Sequence, residues 1–288
     1  MDITCILSAL LFFIGNILKI VYFVKEHNRR MNWTYLKQLD TNYIQDEWEF
    51  RIENKGHLVA TGVITALAWF FLCFPILQLV FVLNQQTKST ISKSLWLHSG
   101  IVILTLGGAF TEWISYFVCL GVTMSCELMF KDFDLQNWTN QGNDFIGFKS
   151  LEVTYFAIRG INFWVDAVEW LALFFIMVFV YVSVRRYQTT HPGHFSIWWN
   201  ALGLAIGIFS LLDFITEILR VVDFRVFSRL AFYYAAVNRL VFLPVWLLLL
   251  GWKLPQALAQ LEEEANKPTP TTAAAGEVEL PVTNSEIL

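Results

Sequence analysis

Six long apolar stretches limit what this chain of 288 residues can fold into. Each is as long as the roughly 20 residues that an α-helix needs to cross the hydrocarbon core of a bilayer. They cover residues 3–24, 58–83, 96–125, 155–184, 196–219 and 229–251. Composition agrees, because a mean hydropathy of +0.51 and 56% hydrophobic residues exceed the values of ordinary soluble domains. The sequence therefore predicts an all-α integral membrane protein, a multi-pass bundle of six transmembrane helices.

The bundle is predicted to occupy residues 1–252, and residues 253–288 are predicted to form a polar tail. Six acidic residues and only two lysines follow Trp252, so the tail accounts for the whole net charge of −4. From Glu262 onward the tail holds much Pro, Thr and Ala and little apolar bulk, which predicts a largely disordered segment. Its terminal Ser-Glu-Ile-Leu resembles the ligands of carboxylate-capturing domains, which suggests a protein partner at the tail.

Two signals of membrane orientation conflict. Six spans place both termini on one side, here called face B, and the loops 25–57, 126–154 and 220–228 on the other side, face A. Face A carries more Lys and Arg, as cytoplasmic loops do. However, the two Asn-Trp-Thr sequons, at Asn32 and Asn137, also fall on face A, and a glycan there would require that face to be lumenal or extracellular. The acidic tail tips the prediction slightly towards cytoplasmic termini.

Polar residues inside the spans give the strongest functional signal, because a carboxylate at the bilayer centre costs about 2.5–3.5 kcal/mol even on the lenient insertion scale. Asn162, Asp166 and Glu169 step by four and three along the fourth span and therefore share one helix face. The third, fifth and sixth spans add five more polar residues to the predicted pocket: Glu112, Asp213, Glu217, Asn238 and Arg239.

Depth along the helices suggests how these residues meet. At a rise of 1.5 Å per residue, Asp166 and Arg239 lie about 16 Å from face A, so an ion pair between them is geometrically feasible. Glu112 and Glu169 lie about 20 Å from face A, at the closed end of a cleft that opens to that face. Acids outnumber arginines in these spans. The third to sixth spans are thus predicted to enclose an acidic pocket for a cation or polar small ligand, in a transporter, channel or receptor rather than an enzyme.

Two alternatives stay open. In the first, the charged stripes only fix helix packing, and the protein is a non-catalytic membrane organiser or scaffold. In the second, His98, His191 and His194 bind zinc on face B in a membrane hydrolase, although histidines in a Pro-Gly turn are typical of a solvated loop. No motif identifies a cofactor, and no basic block indicates nucleic acid, so the lipid bilayer is the partner that the composition requires.

Overall fold

The structure, a computed structural model, describes residues 1–29, 48–85, 91–132, 145–190, 195–220 and 224–266. Within these ranges the chain is helical and contains no strand. The helices are α1 (Ile3–Arg29), α2 (Lys55–Gln85), α3 (Ile91–Asp132), α4 (Phe145–Thr190), α5 (Ile197–Leu219), α6 (Phe224–Val237) and α7 (Leu243–Asn266). A π-helical turn, Asn238–Phe242, joins α6 to α7, and a short helical segment at residues 48–53 precedes α2.

Six helices in the described part of the chain are long and apolar enough to cross a membrane, which confirms the predicted all-α class and the predicted number of such helices. They run over Ile3–Glu26, Lys55–Asn84, Leu95–Ser125, Val153–Thr189, Ile197–Leu219 and Arg229–Glu263. The sixth joins part of α6, the π-helical turn and most of α7. The tail is predicted from residue 253, whereas α7 continues to Asn266, because Leu254 and Ala257 are buried against the core. The tail beyond residue 266 lies outside the described residues.

The helices form a closed ring. Consecutive helices pack against each other from α1 to α6, and α7 returns to pack against α1. At this closure the backbone N–H of Asp2 donates to the carbonyl of Gly251 at 2.8 Å. The Asp2 carboxylate caps α1 by accepting hydrogen bonds from the N–H groups of Thr4 and Cys5, at 2.9 and 3.1 Å. Partial burial raises the pKa of Asp2, but hydrogen bonds from the Thr4 hydroxyl and from these two N–H groups outweigh it and hold the pKa below its ordinary value.

The apolar core occupies mainly the part of the bundle nearer face B. Ile76 and Leu79 of α2, Ile176 of α4 and Leu250 of α7 are fully inaccessible there. Trp246 of α7 stacks on Trp199 of α5, with ring centroids 4.9 Å apart. The acids of the predicted pocket lie from the middle of the bundle towards face A, so the apolar packing separates them from face B.

The α2–α3 contact depends on Gly62. A Cβ atom at this position would lie 2.0 Å from the ring of Tyr116, which is far inside van der Waals distance. Gly62→Ala is therefore expected to lower the free energy of unfolding by about 1–3 kcal/mol, because the ring must move within a packed interface. Denaturant unfolding in detergent measures this difference.

Gly121→Ala is the matched control for this substitution. Gly121 lies on α3, and no atom of the described residues outside its own helix lies within 4 Å of an added Cβ. It is expected to leave stability unchanged or raise it by up to about 1 kcal/mol, because alanine favours a helix interior. Equal losses in the two variants would show that the contact with Tyr116 does not limit the approach of α2 to α3.

Candidate functional site

A buried ion pair connects α4 with the π-helical turn. A guanidinium nitrogen of Arg239 lies 2.5 Å from a carboxylate oxygen of Glu169, and the two side chains are 5% and 1% exposed. The guanidinium carbon also lies 4.2 Å from the ring centroid of Trp170, a cation–π distance. The feasible pair of Arg239 with Asp166 is therefore not the ion pair that forms. Depth along a helix does not fix the direction in which a side chain turns, and Glu169 is one turn further along α4.

Asp166 is paired instead with α3. The hydroxyl of Ser115 lies 2.7 Å from a carboxylate oxygen of Asp166 and 3.0 Å from the amide oxygen of Asn162, and it donates its proton to one of them. Asn162 and Asp166 thus share a helix face, as their spacing predicts. That face contacts α3 and does not point to lipid.

Glu112 of α3 completes a group of three acids. Its carboxylate lies 3.8 Å from the ammonium group of Lys19 of α1, whose side chain is 41% exposed, while that of Glu112 is 6% exposed. One oxygen from each of Glu112, Asp166 and Glu169 lies within 4.8 Å of the others. We call these three residues the acidic cluster. Oxygen atoms at this spacing are the donor set that hard cations take from proteins.

Two small cavities adjoin the acidic cluster. The first has a volume of about 190 Å³ and lies among α1 to α4, where Glu112, Ser115 and Asp166 contribute to its wall. The second has a volume of about 130 Å³ and is lined by α1, α4, α5, α6 and the π-helical turn. Lys19 and Asp166 line both cavities, so they stand at the boundary between them.

The predicted enclosure by the third to sixth spans is therefore incomplete. The first cavity is lined by residues of α1 and α2 as well, namely Lys19, Tyr22, Leu58, Val59, Thr61, Gly62 and Thr65. These come from the face-A ends of their helices, so the cavity lies on the side of the acidic cluster nearer face A. The sequence does indicate that α1 and α2 contribute polar residues, because Lys19 lies inside an apolar span and Thr61 and Thr65 are four residues apart.

Besides Asn162 and Arg239, three of the predicted pocket residues lie outside the acidic cluster. Glu217 lines the second cavity and forms an ion pair with Arg220, three residues further along the chain. Asp213 and Asn238 line neither cavity. The amide of Asn238 donates to the Ser210 hydroxyl at 3.0 Å, which fixes the π-helical turn against α5.

Asp213 is 1% exposed, and among the described residues it is the only acid with a buried carboxylate oxygen that lacks a hydrogen-bond partner. Neither of its carboxylate oxygens has a hydrogen-bond partner among the described residues. A buried carboxylate in that state is costly unless it is neutral or meets a cation. Asp213 is therefore a buried acid that lies apart from both cavities.

Of the residues of the predicted zinc and glycosylation sites, the structure describes only His98. His98 is buried near face B, and its Nδ1 atom has no hydrogen-bond partner among the described residues. His191 and His194 lie outside the described residues, as do the sequon residues Asn32 and Asn137. The zinc site and the glycosylation sites therefore stay predictions.

Comparison with known proteins adds no family to this picture. No protein-family model, no curated protein and no solved structure matches this chain.

Proposed function

We propose that this chain is a multi-pass membrane protein that binds a small cation or a protonated small solute at the acidic cluster, as a transporter, channel or receptor. The observation that carries the proposal is the meeting of three carboxylates and two cations beside two cavities. Glu112, Asp166 and Glu169 carry three negative charges when ionised, against the positive charges of Lys19 and Arg239. An added cation or proton would balance the remaining charge.

The size of the cavities favours a small ligand. A buried water needs roughly 10–15 Å³ of cavity volume. The first cavity, at about 190 Å³, therefore has room for several waters or a small hydrated ion. Drug-sized ligands occupy pockets of about 300–1,000 Å³. The first cavity lies towards face A, and the apolar core lies on its other side. This arrangement supports entry of a ligand from face A rather than from face B.

A second candidate function is a membrane organiser, and the Glu169–Arg239 pair favours it. That pair is nearly inaccessible and is covered by Trp170, so its position suits the fixing of helix packing. The two candidate functions use different residues of the acidic cluster. Arg239 neutralises Glu169, whereas Glu112 and Asp166 line the first cavity, where a ligand can reach them.

Thermal unfolding of the purified protein in detergent separates the candidates. The probes are the chlorides of sodium, potassium, calcium and methylammonium, compared at constant ionic strength. A cation that binds only the folded protein stabilises it by about 2.7 kcal/mol at a concentration one hundred times its Kd. One of these cations is expected to raise the midpoint of wild type, and Glu112→Gln and Asp166→Asn are each expected to weaken that response by at least about tenfold in concentration, a loss of about 1.4 kcal/mol.

Glu127→Gln is the matched control, because Glu127 pairs with Lys55 near face A and lines neither cavity. It is expected to keep the full response to the cation. An equal loss in Glu127→Gln would assign the response to general screening by salt. A folded wild type that responds to none of the four cations would favour the membrane organiser.

A further inference from the structure

A large groove lies on face B, on the opposite side from the acidic cluster. It has a volume of about 1020 Å³ and lies between the end of α4 and the start of α5. Tyr181 and Val182 of α4 and Ile197 of α5 give it apolar walls, and Arg185 and Arg186 of α4 give it two positive charges. The groove thus combines a hydrophobic part with a cationic part.

Hydrogen bonds and stacked rings hold the walls of this groove in place. The side-chain amide of Gln188 donates to the carbonyl of Phe195 at 2.7 Å, which links α4 to the segment before α5. The ring of Phe195 stacks on Trp199, with centroids 5.0 Å apart. Ser196 caps α5 by accepting a hydrogen bond from the N–H of Trp199 at 3.1 Å. The shape of the groove therefore follows from helix packing.

The two arginines of the groove are exposed, and among the described residues neither forms an ion pair. None of the residues that line the groove is acidic. An arginine guanidinium presents a planar fork of donors that matches the oxygens of a phosphate. The groove therefore has a positive charge that an anionic group would complement.

The groove lies at the level of the lipid headgroups. α5 has 23 residues and is therefore about 35 Å long, only slightly longer than a hydrocarbon core of about 30 Å. Ile197 at its start must then lie near the boundary between acyl chains and headgroups. Trp198 is next to it and is 85% exposed, as expected of a tryptophan in the interfacial region. Arg185 and Arg186 line the same groove and are thus placed where lipid phosphates lie.

We infer that this groove binds an anionic phospholipid, whose phosphate contacts Arg185 and Arg186 and whose acyl chain lies along Tyr181, Val182 and Ile197. A phospholipid matches both parts of the groove, whereas a free phosphate would use only the arginines. The inference does not depend on the function of the acidic cluster, because the two sites share no residue.

Native mass spectrometry of the full-length protein in detergent tests this site. The probes are dioleoyl phosphatidylglycerol and dioleoyl phosphatidylcholine, which have the same acyl chains and differ in headgroup charge. Wild type is expected to retain the anionic lipid in preference to the zwitterionic one. The double variant Arg185→Gln/Arg186→Gln is expected to bind the anionic lipid about 30-fold more weakly, since each basic residue near an anionic surface contributes roughly a fivefold factor.

Two further variants isolate the groove from net charge and from folding. Lys25→Gln/Arg229→Gln removes the same charge from exposed positions near face A and is expected to bind the lipid as wild type does. Arg185→Lys/Arg186→Lys keeps the charge and is expected to retain most of the binding. Equal lipid binding by wild type and the Arg185→Gln/Arg186→Gln variant would overturn the inference.

Two other occupants are separate outcomes of the same experiment. Displacement of the lipid by inorganic phosphate at the same concentration would identify a site for small anions and overturn the phospholipid assignment. Lipid binding that appears only after removal of residues 267–288 would show that the acidic tail is the occupant in the full-length protein. Retention of the anionic lipid by the full-length protein despite phosphate supports the assignment.

Discussion

Replacing Arg239 with glutamine is expected to lower the free energy of unfolding by about 3–5 kcal/mol, because it leaves the charge of Glu169 buried without a partner. In the folded protein the guanidinium lies 2.5 Å from the Glu169 carboxylate and next to the ring of Trp170. A glutamine amide replaces neither the charge nor the cation–π contact. Reversible unfolding in micelles of mild detergent with increasing dodecyl sulfate measures the difference.

The double variant Glu169→Gln/Arg239→Gln distinguishes the loss of stability caused by breaking the ion pair from the loss caused by the change in side-chain volume. It is expected to recover more than half of the loss, since neither member of the pair is then left as a buried charge without its partner. The comparison pair is Lys55 with Glu127, whose side chains are 40% and 24% exposed. Lys55→Gln is expected to cost only about 0–1 kcal/mol. Additive effects in the double variant would contradict a direct coupling between Glu169 and Arg239.

The spans could be predicted from the sequence because bilayer thickness fixes their length. The fifth span shows how closely this works: residues 196–219 are predicted, and α5 covers Ile197–Leu219 with Ser196 as its cap. The end of the last helix could not be placed in this way. After Trp252 the sequence is no longer uniformly apolar, but Leu254 and Ala257 still recur on one face and are buried. Hydropathy averaged along the sequence does not detect a helical segment that is stabilised by only one apolar face.

The acidic cluster could be predicted only in part, because periodicity fixes the face of a helix but not the neighbour that the face meets. The step from Asn162 to Asp166 correctly indicates a shared face, which meets Ser115 of α3. The partner of Arg239 depends on side-chain direction around a π-helical turn, which no spacing rule indicates. Lys19 is a single charge in the first span, and a lone lysine there is equally compatible with extension to the membrane surface.

Lys19→Met is expected to strengthen cation binding by about 10- to 100-fold, because the Lys19 ammonium already supplies a positive charge next to Glu112. Its ammonium lies 3.8 Å from Glu112, and the residue lines both cavities. Two unit charges about 4 Å apart interact by about 1 kcal/mol in water and about 4 kcal/mol at an effective dielectric constant of 20. The 41% exposure of Lys19 places its effect in the lower part of that range. Stabilisation by the four cation chlorides, measured as a function of concentration, reports the change in affinity.

Lys55→Met is the matched control for this change, because Lys55 is equally exposed and also pairs with a glutamate, but lines neither cavity. It removes the same charge and is expected to leave cation affinity unchanged. If the Lys19–Glu112 pair served only to hold α1 against α3, Lys19→Met would lower stability in every salt and create no cation dependence. A stronger response in Lys19→Met than in Lys55→Met requires instead that an external cation take the place of the lysine ammonium, which helix packing alone does not explain.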